Sequence, residues 1–519
     1  MNTAMRVGKF MFMAMGAVVL IFLTAAPVIN LMIGSIASAV SGATAVVFSD
    51  NLGLLLKSVL LYLGAAGLCV VLGFLVAVWV WTAFARRALR VGVFLMILIL
   101  VPPFVHVQSW IYFMDKINAF LLQTAGLTQN FSGEFAVILT MAFSYLPITA
   151  GLCLMAFLSV PAEITDQCAM ENAGRKAFLQ VYLPLVMPAL CISGLLVFLL
   201  NINDYGIASV FGVNVFSLEL YSKFSANGDV YSVFFAAIPI MLLCLAMFAV
   251  LGAYLSRQHF AFSGFRGKNP FRTDGFVRAL ARVGFAIFAL FALVPVVNLV
   301  IEAAFVKDIG TVLSGSVEEF IFSLWSSALA AVACIIPAIL FAFLYERSKH
   351  KMLLLSLAAL PFILPSAIGG IAMINLWNSP WLHDVYQSPF MTAIAMVGRF
   401  AFIEALVITF AMMRLDRALL DNMRLHYPGI WKTAQCLVSM LWKECLAGIL
   451  IVFALAMGEF GVTLLVTPPG SQAITIKIYN YLHYGASDIV AVLCLAMLVI
   501  MLVLSMLVFL LLKGDKSHE

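Results

Sequence analysis

Acidic residues recur in this chain at one fixed offset. Asp166 and Asp421, and Asp204 and Glu459, are each 255 positions apart, and Pro184 and Ser439 keep the same spacing. Three separated points at one offset read as an internal duplication of about half the chain. The first copy runs Glu163, Asp166, Asn172, Ala173, Gly174, Pro184 and then Asn203-Asp204-Tyr205-Gly206. The second runs Asp421, Gly429, Ser439 and then Gly458-Glu459-Phe460-Gly461. Glu163, Asp166 and Asp421 lie in polar segments, whereas Asp204 and Glu459 end apolar runs. An acid at the end of an apolar run has two chemistries open to it. It can flank a polar path, where its charge favours a cation. It can instead accept from the free N–H groups of a following short helix.

The elements that must carry these acids follow from composition. The chain has 519 residues, 64% hydrophobic and only 10% charged, which excludes a soluble globular protein and predicts an all-α polytopic membrane protein. Apolar runs long enough to cross about 30 Å of hydrocarbon lie near 11–33, 54–84, 91–113, 135–159, 185–203 and 231–255, and again near 278–305, 320–345, 352–376, 390–413, 440–457 and 488–512. That predicts about 12 transmembrane helices as two tandem six-helix repeats. The first repeat covers 1–256 and the second 277–519, with a Gly- and Pro-containing linker at 257–276. The first run follows Arg6 and Lys9 but is long and has no clean cleavage site, so it reads as a helix. Nine cysteines, odd in number and without CxxC pairing, read as small hydrophobes in helix packing.

Basic residues orient the chain. Arg86, Arg87 and Arg90, Arg175 and Lys176, the arginines of the junction, Arg347 to Lys351, Arg414 to Lys432, and Lys513 with Lys516 alternate with loops holding only Lys116, Lys223, Lys307 and Lys477. The positive-inside rule places both termini, both repeated loops (160–184 and 415–439) and the linker in the cytoplasm. In the first loop Pro161 suits a first helical turn, Glu163 and Asp166 lie near that helix's positive end, and Asn172 to Gly174 break it. Two short helices at a sharp angle are predicted there. Pro102 and Pro361, 259 positions apart, begin stretches tolerant of polar residues. In the first of them, His106 and Gln108 either meet a translocated substrate or make hydrogen-bonded helix contacts. Arg399 and Glu404 share one apolar run, five positions apart, to be reconciled by snorkelling or a neighbouring helix. Lys57 reads as snorkelling from the outer side.

Asp166-Gln167-Cys168 through Asn172 to Leu183-Pro184 resembles the EAA loop of binding-protein-dependent ABC importer permeases. The stretch from Leu450 to Gly461 resembles the segment C-terminal to that loop in the same permeases, and Asn203-Asp204-Tyr205-Gly206 is similar to the version in fused, two-repeat ferric-iron and thiamine permeases. The motif's Glu is Asp in both halves, its Gly is Asn172 in one and Tyr427 in the other, and Leu-Pro becomes Val438-Ser439. The resemblance covers nearly the whole chain and implies a type I ABC importer permease fold in a bacterial inner membrane. It implies that Glu163, Asp166, Asn172, Gly174, Asp421 and Gly429 belong to loops docking two copies of a cytoplasmic ABC ATPase. It also implies an extracytoplasmic substrate-binding protein, and a path or gate at Asp204, Glu459, His106 and Gln108. The chain has no GxxxxGK[ST] string, so the expectation is a transport subunit and not an enzyme. No cofactor and no nucleic-acid partner are expected; the lipid bilayer is a further partner. Ferric iron heads the substrates implied; thiamine, a phosphonate or an oxyanion are alternatives. An ion-coupled secondary transporter with duplicated halves is the reading from another class. A reporter fused after Lys268 is expected to be active only as a cytoplasmic enzyme; periplasmic reporter activity there would invert the orientation.

Overall fold

The structure is a computed structural model that describes residues 22–42, 51–84, 101–125, 133–171, 174–257, 274–415 and 430–513. In chain order its helices are α1 (Ala26–Val40), α2 (Leu52–Phe84), α3 (Pro103–Ala125), α4 (Glu134–Ser144), α5 (Leu146–Leu158), α6 (Ala162–Met170), α7 (Gly174–Ala177), α8 (Leu183–Asn203), α9 (Gly206–Val210), α10 (Phe216–Asn227) and α11 (Val230–Arg257). After the junction come α12 (Gly275–Ala303), α13 (Ile309–Ser314), α14 (Val317–Arg347), α15 (Lys351–Ile363), α16 (Ser366–Trp377), α17 (His383–Tyr386), α18 (Phe390–Arg414), α19 (Ile430–Met440), α20 (Trp442–Gly458), α21 (Thr463–Val466), α22 (Ile474–His483) and α23 (Ser487–Lys513). A single π turn over Phe178–Tyr182 joins α7 to α8. No strand occurs among the described residues.

Seven described helices are long and apolar enough to cross a membrane, and nine spans result if each of two bent pairs counts as one. The bends are 45° between α4 and α5, and 98° between α15 and α16. Proline causes both: Pro147 opens α5, and Pro365 stands between α15 and α16, each removing a donor from the helical ladder. The side-chain pattern is that of helices solvated by lipid. Leu56, Leu60 and Val71 of α2 and Val332 and Ile336 of α14 are exposed, while Ala65, Ala66, Ser323, Ser326, Ser327 and Ala330 face inward. Large apolar groups outside and small or hydroxylated ones inside are what close helix packing in a bilayer requires. A Cβ added at Gly73 of α2 would stand 2.6 Å from Thr149 Cβ of α5, so glycine is needed for that crossing.

Two boundaries differ from the sequence expectation. The third helix, predicted near 91–113, runs from Pro103 to Ala125; residues 91–100 lie outside the described residues. The charged pair Asp115 and Lys116 ends the apolar run, but the helix continues through Phe120 and Leu122, and Lys116 lies over the Tyr112 ring at 5.1 Å. The first helix likewise reaches Val40, past the predicted 33. The linker expected at 257–276 lies almost wholly outside the described residues.

Both halves use the same three helices at their centre. In the first, α2, α5 and α8 pack together; in the second, α14, α18 and α20 do. The outer segments are tied to these cores alike. Ser58 Oγ on α2 accepts from Phe216 N, and Ser323 Oγ on α14 accepts from Ile474 N, both at 2.8 Å. The leading helix of each half then crosses to the other: α1 lies on α16, and α12 lies on α2 and α3. At the second crossing the Trp79 and Phe288 rings lie 5.1 Å apart, tilted by 30°, and His106 and Phe291 stack at 5.3 Å. Because each half completes the other, the chain cut between Gly264 and Phe265 is expected to co-purify as two fragments when both are expressed, and to yield little folded protein when either is expressed alone. Full yield of a lone fragment with intact helicity would show that the exchanged helices contribute little stability.

Candidate functional site

A cavity of about 100 Å³ lies where the halves meet. Its first-half wall comes from Pro102, Tyr145, Asn203 and Asp204, and its second-half wall from Phe362, Ser366, Arg399 and Glu459. The volume is small against the roughly 300–1,000 Å³ of drug-binding pockets and suits a small ion with some water. Most of the wall residues sit where a helix starts, bends or stops. Pro102 precedes α3, Tyr145 marks the bend between α4 and α5, Phe362 and Ser366 flank the break between α15 and α16, and Asp204 and Glu459 follow the last residues of α8 and α20.

The two matched motifs touch each other. Tyr205 OH donates to the Gly461 carbonyl at 3.0 Å, and the Tyr205 and Phe460 rings are 5.9 Å apart. Gly206 and Gly461 permit the approach: a Cβ on Gly206 would lie 2.7 Å from Phe460 Cδ1, and one on Gly461 would lie 3.1 Å from Tyr205 Cε1. Asn203 Nδ2 donates to the Phe362 carbonyl at 3.0 Å, and Ser366 Oγ returns a hydrogen bond to the Asn203 carbonyl at 2.6 Å. The contact between halves is therefore polar, specific and buried.

The acids hold the broken backbone together. Asp204 Oδ1 accepts from Gly206 N at 2.8 Å and Ile207 N at 3.3 Å. Glu459 Oε1 accepts from Val462 N, and Oε2 from Thr463 N, both at 2.9 Å; Thr463 Oγ1 adds 2.8 Å to Oε2. This is the geometry of a cap, and both residues also line the cavity. The halves differ in one respect. Arg399 Nε stands 3.8 Å from Glu459 Oε1, while the position one offset earlier is Ser144 (399 − 255 = 144). Glu459 thus has a cationic neighbour supplied by its own half, and Asp204 has none from the equivalent place. Arg399 is buried, and its Nε and Nη1 make no hydrogen bond.

The sequence places Arg399 and Glu404 five positions apart in one apolar run, to be reconciled by snorkelling or a neighbouring helix. Five residues on a helix rotate a side chain by about 140°, and the two face different neighbours: Arg399 the cavity, Glu404 the seam between α14, α18 and α20. For Arg399 the partner comes from a neighbouring element, Glu459 at the end of α20. Ser144 and Tyr145 carried no signal in the sequence beyond the repeat offset itself.

His106 and Gln108 are buried but do not line the cavity. Gln108 Nε2 donates to Glu302 Oε2 at 2.7 Å and to the Ser487 carbonyl at 3.1 Å, joining α3 to the second half. Lys57 pairs with Glu134 at 2.7 Å on an exposed surface, a contact of small energetic weight. Glu163 and Asp166 are exposed on α6. Gly174 has φ +34° and lies so close to Asp274 that any side chain would strike that carboxylate. Arg175 lies over the Phe276 ring at 4.9 Å, so the first loop is braced on the start of α12. In the same loop burial pushes the Cys168 thiol up, helped by nearby Glu171. Asn172, Asp421 and Gly429 lie outside the described residues. Among the described residues no three His, Cys, Asp or Glu side chains cluster as a metal site needs. Compared with known proteins, the chain matches no family model and no curated sequence.

The unequal partners of the two acids predict unequal costs. Glu459→Ala strips a cap and leaves Arg399 uncompensated, a loss of about 3–5 kcal/mol for a broken buried pair. Asp204→Ala removes a cap alone, about 0.5–2 kcal/mol. Thermal unfolding in one detergent is expected to rank Glu459→Ala well below Asp204→Ala; equal melting temperatures would mean that Arg399 and Glu459 are not energetically coupled.

Proposed function

We propose that this chain is the transmembrane permease subunit of an ABC importer, with twelve spans in two six-helix repeats and both termini in the cytoplasm of a bacterial inner membrane. The observation that carries this reading is the meeting of the two matched motifs around one cavity between the halves, a largely apolar space into whose wall Asp204, Arg399 and Glu459 are set. A path placed on the axis relating two repeats is open to alternate exposure by rocking one half against the other. The repeated polar loops supply the second support. Short helices such as α6, with exposed Glu163 and Asp166, offer two equivalent docking points for a pair of cytoplasmic ATPases, by apolar packing and charge-assisted hydrogen bonds. An extracytoplasmic binding protein delivers the substrate, for which ferric iron is the first candidate and thiamine, a phosphonate or an oxyanion the others.

Two separate ionisable residues within α18, Arg399 and Glu404, favour a second reading, an ion-coupled secondary transporter. Uptake in cells separates the two: an ATP-driven importer stops on ATP depletion and tolerates an uncoupling ionophore, and an ion-coupled carrier does the reverse.

The docking role is tested by charge reversal. Asp166→Lys is expected to leave expression unchanged, because α6 is exposed, and to release the co-purifying ATPase and abolish uptake. Losing one side of a desolvated charge contact costs about 2–5 kcal/mol, enough to empty a micromolar interface. Asp421→Lys is expected to act in the same direction but more weakly, its loop departing further from the motif. Normal uptake in both variants would remove the coupling role from these loops.

A further inference from the structure

Three glutamates are buried among the described residues, and they are not equivalent. Glu459 accepts two backbone N–H groups and a hydroxyl and has Arg399 beside it. Glu302 accepts from Gln108. Glu404 is different: its side chain is 0% exposed, and among the described residues neither oxygen has a hydrogen-bond or ion-pair partner.

Among the described residues its surroundings supply no compensating charge. Glu404 lies fourteen residues after the start of α18 and ten before its end (404 − 390 and 414 − 404), so it is deep in the span. Gly448 of α20 faces it so closely that an added Cβ would lie 3.0 Å from Glu404 Cγ. The titratable groups that face it are two buried thiols, Cys334 from α14 and Cys445 from α20. The remaining titratable residues of α14 and α20 lie toward the ends of those helices: Glu318, Glu319, Tyr345, Glu346 and Arg347 on the first, and Lys443 and Glu444 on the second. Of the other helices against α18, α16 and α21 contain no titratable residue. Lys351 is the first residue of α15, and His383, Asp384 and Tyr386 lie on α17 before α18 begins. On α18 itself, Arg399 turns to Glu459 and Arg414 is the last residue.

We propose that Glu404 is a proton-binding site in the membrane interior, occupied when α18 is packed against α14 and α20. An unpaired carboxylate in a dry interior is far costlier than a neutral carboxylic acid, so the group takes up a proton when it is enclosed. The reverse step needs water. Water reaches Glu404 only where α18 parts from α14 or α20, so proton release is tied to movement of the helix that holds Arg399 in the cavity. The inference rests on the packing of α18 and holds whichever energy source drives transport.

The test is infrared difference spectroscopy on the full chain in lipid vesicles at neutral pH, where exposed carboxylates are ionised. Glu404→Gln is isosteric and neutral; Glu404→Leu, apolar and of similar volume, is a second variant should the first fail to fold. Subtracting either from the wild-type protein is expected to show loss of one protonated-carboxyl stretching band, shifted when the sample is exchanged into D2O, with the carboxylate bands unchanged. A loss from the carboxylate bands instead would show Glu404 ionised and overturn the proposal.

Discussion

Inside a bilayer a backbone N–H or carbonyl that leaves a helix has no water to turn to, and the centre of this protein is organised by that constraint. Two helices, α8 and α20, stop at Asn203 and Gly458 and continue in an extended step. Each stop frees donors just beyond it. Asp204 and Glu459 accept them, Tyr62 OH donates to the Asp204 carbonyl, and Thr475 Oγ1 donates to that of Glu459. The acids make a break tolerable at a depth where one would otherwise be expensive. Once the chain is broken there, the breaks can face each other, and a cavity results because neither helix fills the space ahead of it.

Close approach is the second requirement, and it is met by glycine. Gly206 and Gly461 let the two broken segments meet; Gly73 and Gly448 let the central helices of each half cross tightly. Lipid offers no hydrophobic drive for helix association, so van der Waals contact at short range and buried hydrogen bonds carry the assembly. The exchange of α1 and α12 between halves extends the same contacts around the perimeter. The cavity wall is consequently built from both halves on a frame that neither half completes alone.

The halves share an architecture and differ in charge. Ser144 and Arg399 are 255 positions apart, as are Tyr145 and Phe400, and Asn203 and Gly458. The second half carries a buried cation and a second buried acid on α18, and the first half carries neither at those places. The cavity therefore has two walls that differ in charge.

Much of this was legible in the residues. The 64% hydrophobic composition required lipid-solvated helices, and apolar run lengths placed most of them within a few residues. The interrupted runs at Asn203–Asp204 and Gly458–Glu459 announced the breaks, because each apolar run ends there on a polar residue or glycine followed directly by an acid. Boundaries failed where charges interrupted an apolar pattern without stopping the helix, as at Asp115 and Lys116. Partnership was not legible. Which acid stands beside Arg399, that Gln108 reaches Glu302 and not the cavity, and that Glu404 has no partner among the described residues depend on how helices rotate and cross. Sequence sets what each residue needs, since charge, hydrogen-bonding capacity and volume are properties of the side chain. Only the tertiary structure decides whether that need is met, because the groups that meet it, such as Gln108 and Glu302, are brought together across 194 positions by packing that no local pattern encodes.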